Sequence, residues 1–139
     1  MTYLAKTLSL KMAKRMADAA ESKAVVEGLK IVIAIMDNHG NLKYYRRMDD
    51  NNFISVRMAQ LKALTSASMP VSTKDLAKRN EGILNDPYLG VPGIVLLEGG
   101  LPILTKDGQH IGSIGISGAT PALDGVCAQA GLEALNDDL

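Results

Sequence analysis

The sequence is poor in aromatic residues and has no excess of either charge. Of its 139 residues only 4% are aromatic, with no tryptophan and one phenylalanine. Sites that stack single-stranded bases depend on exposed aromatic rings, so such a site is disfavoured. The 15 basic residues balance the 15 acidic ones, which argues against nucleic acid or an anionic membrane surface as a partner.

Cysteine, metal-ligand motifs and long apolar runs are also scarce. The only cysteine, Cys127, excludes an internal disulfide and fits a reducing, cytoplasmic location. Two histidines without a C-x-x-C or H-E-x-x-H motif predict no metal site. No apolar run approaches the ~18 residues of a membrane span, and Met1–Lys6 lacks the start of a signal peptide. The length predicts one domain spanning residues 1–139.

The apolar patterning predicts an α/β (α+β) protein with a mainly antiparallel sheet. Ile31–Met36 is apolar at both parities, so helices should cover both faces of that sheet. Hairpin turn signals at 37–41 and 106–109 favour antiparallel neighbours. The predicted helices cover 8–28, 53–68, 72–78 and 120 to about 135; the five predicted strands cover 31–36, 42–48, 94–97, 101–105 and 110–117; the rest of 71–90 is predicted to be irregular.

The segment Ile111–Asp124, called the seam below, reads as a strand, a small-residue turn and a helix start. Thr120 suits an N-cap, with a proline following at N1. The glycines at 112, 115 and 118 form no G-x-G-x-x-G motif, and a G-x-S-x-G elbow fails at Ala119. A dinucleotide site and a serine-hydrolase elbow are therefore disfavoured.

Two interpretations of the seam stay open. Its glycines could simply let the helix pack closely on the strand. Alternatively, free N–H groups from Gly118 onward could bind a carboxylate or phosphate, with hydroxyl donors from Ser117 and Thr120. Gly99-Gly100 leaves a similar choice between a plain turn, which is favoured, and a close backbone approach to a ligand.

Three further side chains are candidates for chemistry. Lys62 lies in an otherwise apolar stretch. On residue type alone, the favoured interpretation is a surface lysine whose aliphatic part packs on the protein while its ammonium group reaches water. The alternative is a charge partner for an acidic ligand or for an acidic residue across a subunit contact. His39 in the first turn reads more readily as a surface residue than as a ligand. Lys62, Ser117 and His39 are the acid–base candidates if the protein is an enzyme, but the sequence assigns them no roles.

Several of these motifs, in this order, resemble one family. They are Asp37-Asn38-His39-Gly40-Asn41-Leu42, Arg47-Met48-Asp49, Ala59-Gln60-Leu61-Lys62-Ala63-Leu64-Thr65, Gly99-Gly100-Leu101-Pro102-Ile103, and the seam from Ile111 to Pro121 with Asp124. The chain resembles the family that groups GlcG, the haem-binding protein HbpS and the C-terminal domain of PduO. The resemblance implies a profilin-like fold, homo-oligomers, non-covalent haem or corrinoid binding, and a place in small-molecule catabolism. A hydroxylaminobenzoate lyase is similar too.

One departure from the family pattern concerns haem. Haem-binding members are associated with a histidine near the end of the first helix, where this chain reads Glu27-Gly28-Leu29-Lys30. That ligand does not carry over, and corrinoid is less expected than haem. The leading hypothesis is a homo-oligomeric small-molecule-binding accessory protein of a catabolic operon, taking haem or another carboxylate-bearing ligand. The alternatives are a lyase acting on a small aromatic or hydroxy acid, and a structural oligomer.

The expected ligand pocket lies between the Gly99-Gly100 turn and the seam. Its predicted binding residues are Lys62, Gly99, Gly100, Ser117, Gly118 and Thr120. A small-molecule ligand and further copies of the chain are the expected partners, and nucleic acid and membrane are not.

Overall fold

A computed structural model describes residues 6–83 and 87–139. Within these ranges it has four helices and four strands: α1 (Leu10–Val26), β1 (Val32–Asp37), β2 (Leu42–Arg47), α2 (Phe53–Ser68), α3 (Thr73–Asn80), β3 (Gly100–Leu104), β4 (His110–Ser117) and α4 (Pro121–Glu133). The first five residues and residues 84–86, part of the segment predicted to be irregular, lie outside the described ranges.

The strands form one antiparallel sheet in the order β2-β1-β4-β3. Val32 pairs with Ser117 and Asp37 with Gly112, so the start of β1 lies beside the end of β4. The first hairpin turn is closed by Asp37, whose Oδ1 accepts hydrogen bonds from the N–H groups of His39 (2.9 Å) and Asn41 (3.0 Å). Helices cover both faces, and the α+β fold with an antiparallel sheet is confirmed.

Alternate side chains of β1 and the preceding Ile31 pack into two different layers of the core, one on each face of the sheet. Ile31, Ile33 and Ile35 pack with α1, α4 and the isoleucines of β4. Val32, Ala34 and Met36 pack with the alanines of α2. This division explains why the chain is apolar at every position from Ile31 to Met36: that part of a central strand is buried on both faces and has no position that faces water.

The prediction of a fifth strand at Ile94–Leu97 is wrong. The N–H of Ile94 donates to Val91 O in a turn, and the N–H of Val95 donates to Thr65 Oγ1 of α2 at 2.9 Å. Because a turn and a helix side chain satisfy these amides, the segment has no need of a strand partner. β3 instead begins at Gly100, directly after Gly99, whose carbonyl accepts from Ile116 N–H.

Candidate functional site

Lys62 is a fully buried cation at the contact between α2 and the seam. Its side chain is 2% exposed. The Nζ atom donates to the carbonyl oxygen of Ile116 and to Oδ2 of Asp124, both at 2.9 Å. The favoured interpretation of Lys62 as a surface lysine is therefore wrong, because its charge is held inside the protein by a partner from the same chain.

Asp124, in the first turn of α4, is the residue that completes this site. Its Oδ1 accepts the N–H of Ala119 at 2.9 Å while Oδ2 faces Lys62. Burial raises the pKa of the Asp124 carboxyl, and the hydrogen bonds from Lys62 and Ala119 oppose that rise. The sequence contains one signal for this ion pair, because Asp124 is a charged residue in an alanine-rich helix. Since a buried cation needs a carboxylate, Asp124 could have been matched with Lys62.

The start of α4 is closed by the chain's own groups. The hydroxyl of Thr120 caps the helix by accepting Leu123 N–H, and Pro121 occupies the first turn. Asp124 accepts the Ala119 N–H. The Ala119 N–H, one of the seam groups expected to bind a ligand anion, is therefore occupied by the side chain of Asp124.

The seam glycines make room for backbone contacts. A Cβ on Gly115 would lie 2.2 Å from Ala59 O and 2.4 Å from Ala63 N, so only glycine lets α2 lie this close to β4. Gly118 has φ +134°, and a Cβ there would lie 2.3 Å from Lys30 O. Close packing of a helix on the strand, the first of the two interpretations of the seam, is what the structure shows at Gly115, whereas Gly118 packs against the backbone just before β1.

Gly99 and Gly100 allow the approach of protein groups. A Cβ on Gly99 would lie 2.9 Å from Lys62 Nζ, and one on Gly100 would lie 2.5 Å from Lys62 O. The Gly100 N–H donates to Thr73 Oγ1 at 2.9 Å. Both glycines line a cavity of about 530 Å³ between α3 and α4, which Lys62 and Ser117 do not line.

A second cavity, called the seam cavity below, has a volume of about 360 Å³. Its walls come from the start of α2, the segment before β3 and the seam. They consist of Asn52, Ile54, Ser55, Met58, Lys62, Leu97, Ser117, Gly118, Ala119, Pro121 and Asp124. Of the six predicted binding residues, Lys62, Ser117 and Gly118 meet here, Gly99 and Gly100 line the other cavity, and Thr120 lines neither.

His39 lies away from this site. It is exposed in the β1–β2 turn, next to the end of β1 that pairs with Gly112, whereas Ser117 pairs with the other end at Val32. Five residues of strand separate the two ends, which at about 3.3 Å per residue is more than 15 Å. His39 therefore cannot act together with Lys62 and Ser117 within one chain. Among the described residues no group of three or more His, Cys, Asp or Glu side chains could hold a metal ion.

The sheet, its helix layers and the seam cavity together define a small α+β protein with an internal ion pair facing a cavity. The chain belongs to the HbpS-like family: the family model described as "Haem degrading protein HbpS-like" matches residues 8–133. No helix in the described ranges has the length and apolar character needed to cross a membrane.

Three comparisons illustrate this family. The protein GlcG of Escherichia coli K12 is 35% identical over 111 residues, covering 79% of this chain and 81% of its own. A double mutant of HbpS from Streptomyces reticuli matches with a TM-score of 0.86 at 33% identity, covering 96% and 90%. A PduOC–haem complex matches with a TM-score of 0.86 at 30% identity, covering 94% and 96%.

Proposed function

We propose that this protein is a homo-oligomeric, cytoplasmic accessory protein of a catabolic pathway that binds a small carboxylate-bearing molecule in the seam cavity. The observation that carries the proposal is the position of Lys62 in the cavity wall. An ammonium group has three N–H donors, and two of them are used on Ile116 and Asp124. Lys62 also lines the cavity, and we infer that its third donor serves a ligand oxygen there.

Neighbouring groups suit the same ligand. Ser117, which carries a hydroxyl group, and Gly118 both line the cavity. Asp124 already neutralises Lys62, so directed hydrogen bonds would select the ligand more than net charge would. A volume of about 360 Å³ lies at the small end of the ~300–1,000 Å³ typical of ligand pockets. Together these features favour a compact acid.

Haem is a natural candidate because PduOC, at 30% identity, has been crystallised as a haem complex. The residues of the seam cavity do not fit it. Haem iron takes His, Cys, Met or Tyr ligands, and among the cavity residues only Met58 is of these types. The buried charge pair would also lie against an apolar macrocycle. We therefore assign haem no role in the seam cavity.

Calorimetric titration with glycolate and benzoate tests the proposal. We expect saturable binding by the wild type, and about tenfold weaker binding by Ser117→Ala, which loses one hydrogen bond to a charged group. Ser68→Ala removes an exposed serine of α2 and should bind like the wild type. Equal affinity in both variants, or no binding of any small acid, would refute the seam-cavity site, and light scattering showing a monomer would refute the homo-oligomer.

A lyase acting on a small aromatic or hydroxy acid is the second candidate. The observation that favours it is the buried Lys62–Asp124 pair at a cavity wall, since ionisable groups in such a setting commonly serve as acid–base catalysts. Turnover of hydroxylaminobenzoate by the wild type, lost in an Asp124→Asn variant that keeps its circular dichroism spectrum, would support a lyase. Absence of turnover with every acid that binds would eliminate it.

A further inference from the structure

The sheet has an uncovered strip beside α2. Because α2 lies over β1, β4 and β3, the edge strand β2 extends past it and leaves a groove, called the β2–α2 groove below. Two adjoining cavities of about 410 and 440 Å³ form this groove and share Val56 and Gln60. Its lining includes Tyr45 and Arg47 from β2 and Val56, Arg57, Gln60 and Leu64 from α2.

The groove is independent of the seam cavity. Val56, Gln60 and Leu64 recur at four-residue spacing and share one flank of α2. Lys62 and Met58, which line the seam cavity, lie on the opposite flank of the helix by the same spacing. A ligand in the groove would therefore not contact the ion pair, and the inference does not rest on the proposed function.

The hydroxyl group of Tyr45 is buried without a hydrogen-bond partner among the described residues. Its oxygen is shielded from solvent and forms no hydrogen bond within the described part of the chain. Burial without a partner is unfavourable for a hydroxyl, and such groups are rare in native proteins. Burial also raises the pKa of the Tyr45 phenol, although Arg47 opposes that rise. The phenol therefore stays protonated near neutral pH, and its hydroxyl hydrogen is a donor that still needs an acceptor at the wall of the groove.

The charged groups of the groove are of one sign. Arg47 and Arg57 form no ion pair with any residue in 6–83 or 87–139. The residues that line the two cavities include no Asp or Glu in those ranges. Val56 and Leu64 provide apolar walls beside these donors. A guanidinium fork matches the oxygens of a carboxylate or phosphate, and apolar walls match a hydrocarbon body.

We propose that the β2–α2 groove is a binding site for an amphipathic anion, an oxyanion head group on an apolar body. Tyr45 donates its hydroxyl hydrogen to the head group, Arg47 and Arg57 pair with its charge, and the aliphatic side chains of α2 cover its apolar part. The head group is a carboxylate or a phosphate monoester, because both present oxygens with the required spacing.

Titration of the full ¹⁵N-labelled chain with octanoate, octyl phosphate and octanol tests this site. We expect saturable shifts of β2 and α2 amides with one or both anions, and much weaker binding of octanol. The anion that binds more tightly identifies the head group. Equal binding of octanol, shifts confined to other elements, or no binding of either anion at millimolar concentration would overturn the proposal.

Three variants assign the contacts. Tyr45→Phe removes only the hydroxyl group, and Arg47→Gln removes one charge. Each variant should bind the anion about tenfold more weakly. Anion binding by Arg47→Gln should also depend less on salt concentration. Lys11→Gln removes a charge from exposed α1, on the other face of the sheet, and should leave binding unchanged. If Tyr45→Phe binds as well as the wild type, the assignment is wrong. If the variants instead dissociate a dimer that binds no anion, the groove is a subunit contact.

Discussion

The Nζ atom of Lys62 lies 2.9 Å from Oδ2 of Asp124, and both side chains are 2% exposed. This ion pair joins α2 to the first turn of α4, and Ile116 O in β4 accepts from the same ammonium group. Three elements therefore meet at one charge. Buried pairs of this kind contribute little net stability when intact, but removal of one partner leaves an uncompensated charge inside the protein.

Lys62→Met should lower the free energy of unfolding by about 3–5 kcal/mol, because it leaves Asp124 buried without its partner. Adding Asp124→Asn should recover a large part of that loss, since the amide oxygen can still accept the Ala119 N–H. Urea denaturation of the single and double variants measures both values. Lys14→Met breaks an exposed i,i+4 pair with Asp18 and should change stability by less than about 1 kcal/mol. A Lys62→Met effect of that size would contradict the expected burial.

Gly115→Ala should destabilise the protein by about 3 kcal/mol or more, since its methyl group would meet the backbone of α2 at Ala59 and Ala63. The helix would have to move off the sheet. Gly90→Ala is the matched control, because a Cβ there has nothing within 4 Å, and its effect should be within about 0.5 kcal/mol. Thermal melts of both variants compare them directly. Similar melting temperatures would show that α2 does not lie this close to β4.

Cys127 should resist thiol reagents in the folded protein. It is fully buried, and burial raises the pKa of its thiol to about 11. The thiolate is the reactive form, so labelling by Ellman's reagent at pH 8 should be slow in buffer and fast in concentrated urea. The native rate should remain low up to about pH 10. Rapid labelling without denaturant would contradict the burial of this side chain.

Asp37 should make stability depend on pH in the acid range. Partial burial opposes its ionisation, but backbone hydrogen bonds from Asn41 and His39 outweigh that effect and hold the pKa of the carboxyl below its ordinary value of 3.8. The ionised carboxylate thus stabilises the folded turn above pH 3.8, and this contribution is lost as the pH falls through the lower folded-state pKa. Asp37→Asn should therefore be less stable than the wild type at pH 7.

Urea unfolding at pH 7, at pH 4 and at lower pH measures the difference in stability between the wild type and Asp37→Asn. This difference should shrink at the lowest pH, where the wild-type carboxyl is protonated and therefore uncharged, like the asparagine. Asp49→Asn changes an exposed carboxylate in the next loop and serves as the control. A difference between wild type and Asp37→Asn that is the same at every pH would show that the ionised form is not responsible.

Elements with local signals were predictable from the sequence. Phe53–Ser68 and His110–Ser117 were predicted with the bounds that the structure gives. Turn chemistry at Asp37–Asn41 and the Thr120 cap with Pro121 are determined by neighbouring residues, so no tertiary information is needed to recognise them. The short helix predicted from Ser72 also forms, as Thr73–Asn80.

Features that depend on distant partners were less predictable. Ile94–Leu97 has the composition of a strand, but Thr65, 30 residues away, takes its Val95 N–H. Lys62 resembles an ordinary exposed lysine until Asp124 is brought to it from 62 positions along the chain. The family motifs placed the candidate residues near one another, but only the tertiary contacts separated Gly99 and Gly100 from the seam cavity.

Contact between α2 and β4 at Gly115 has a consequence for protein engineering. Lys62 lies next to Ala63, one of the two backbone contacts of that glycine, so the wall formed by α2 and the sheet cannot be enlarged without displacing the ammonium group. Ile54 and Leu97 are exposed members of the cavity wall, and neither takes part in that contact. A redesign of ligand size would therefore begin with these two rim residues and leave the α2–β4 contact unchanged.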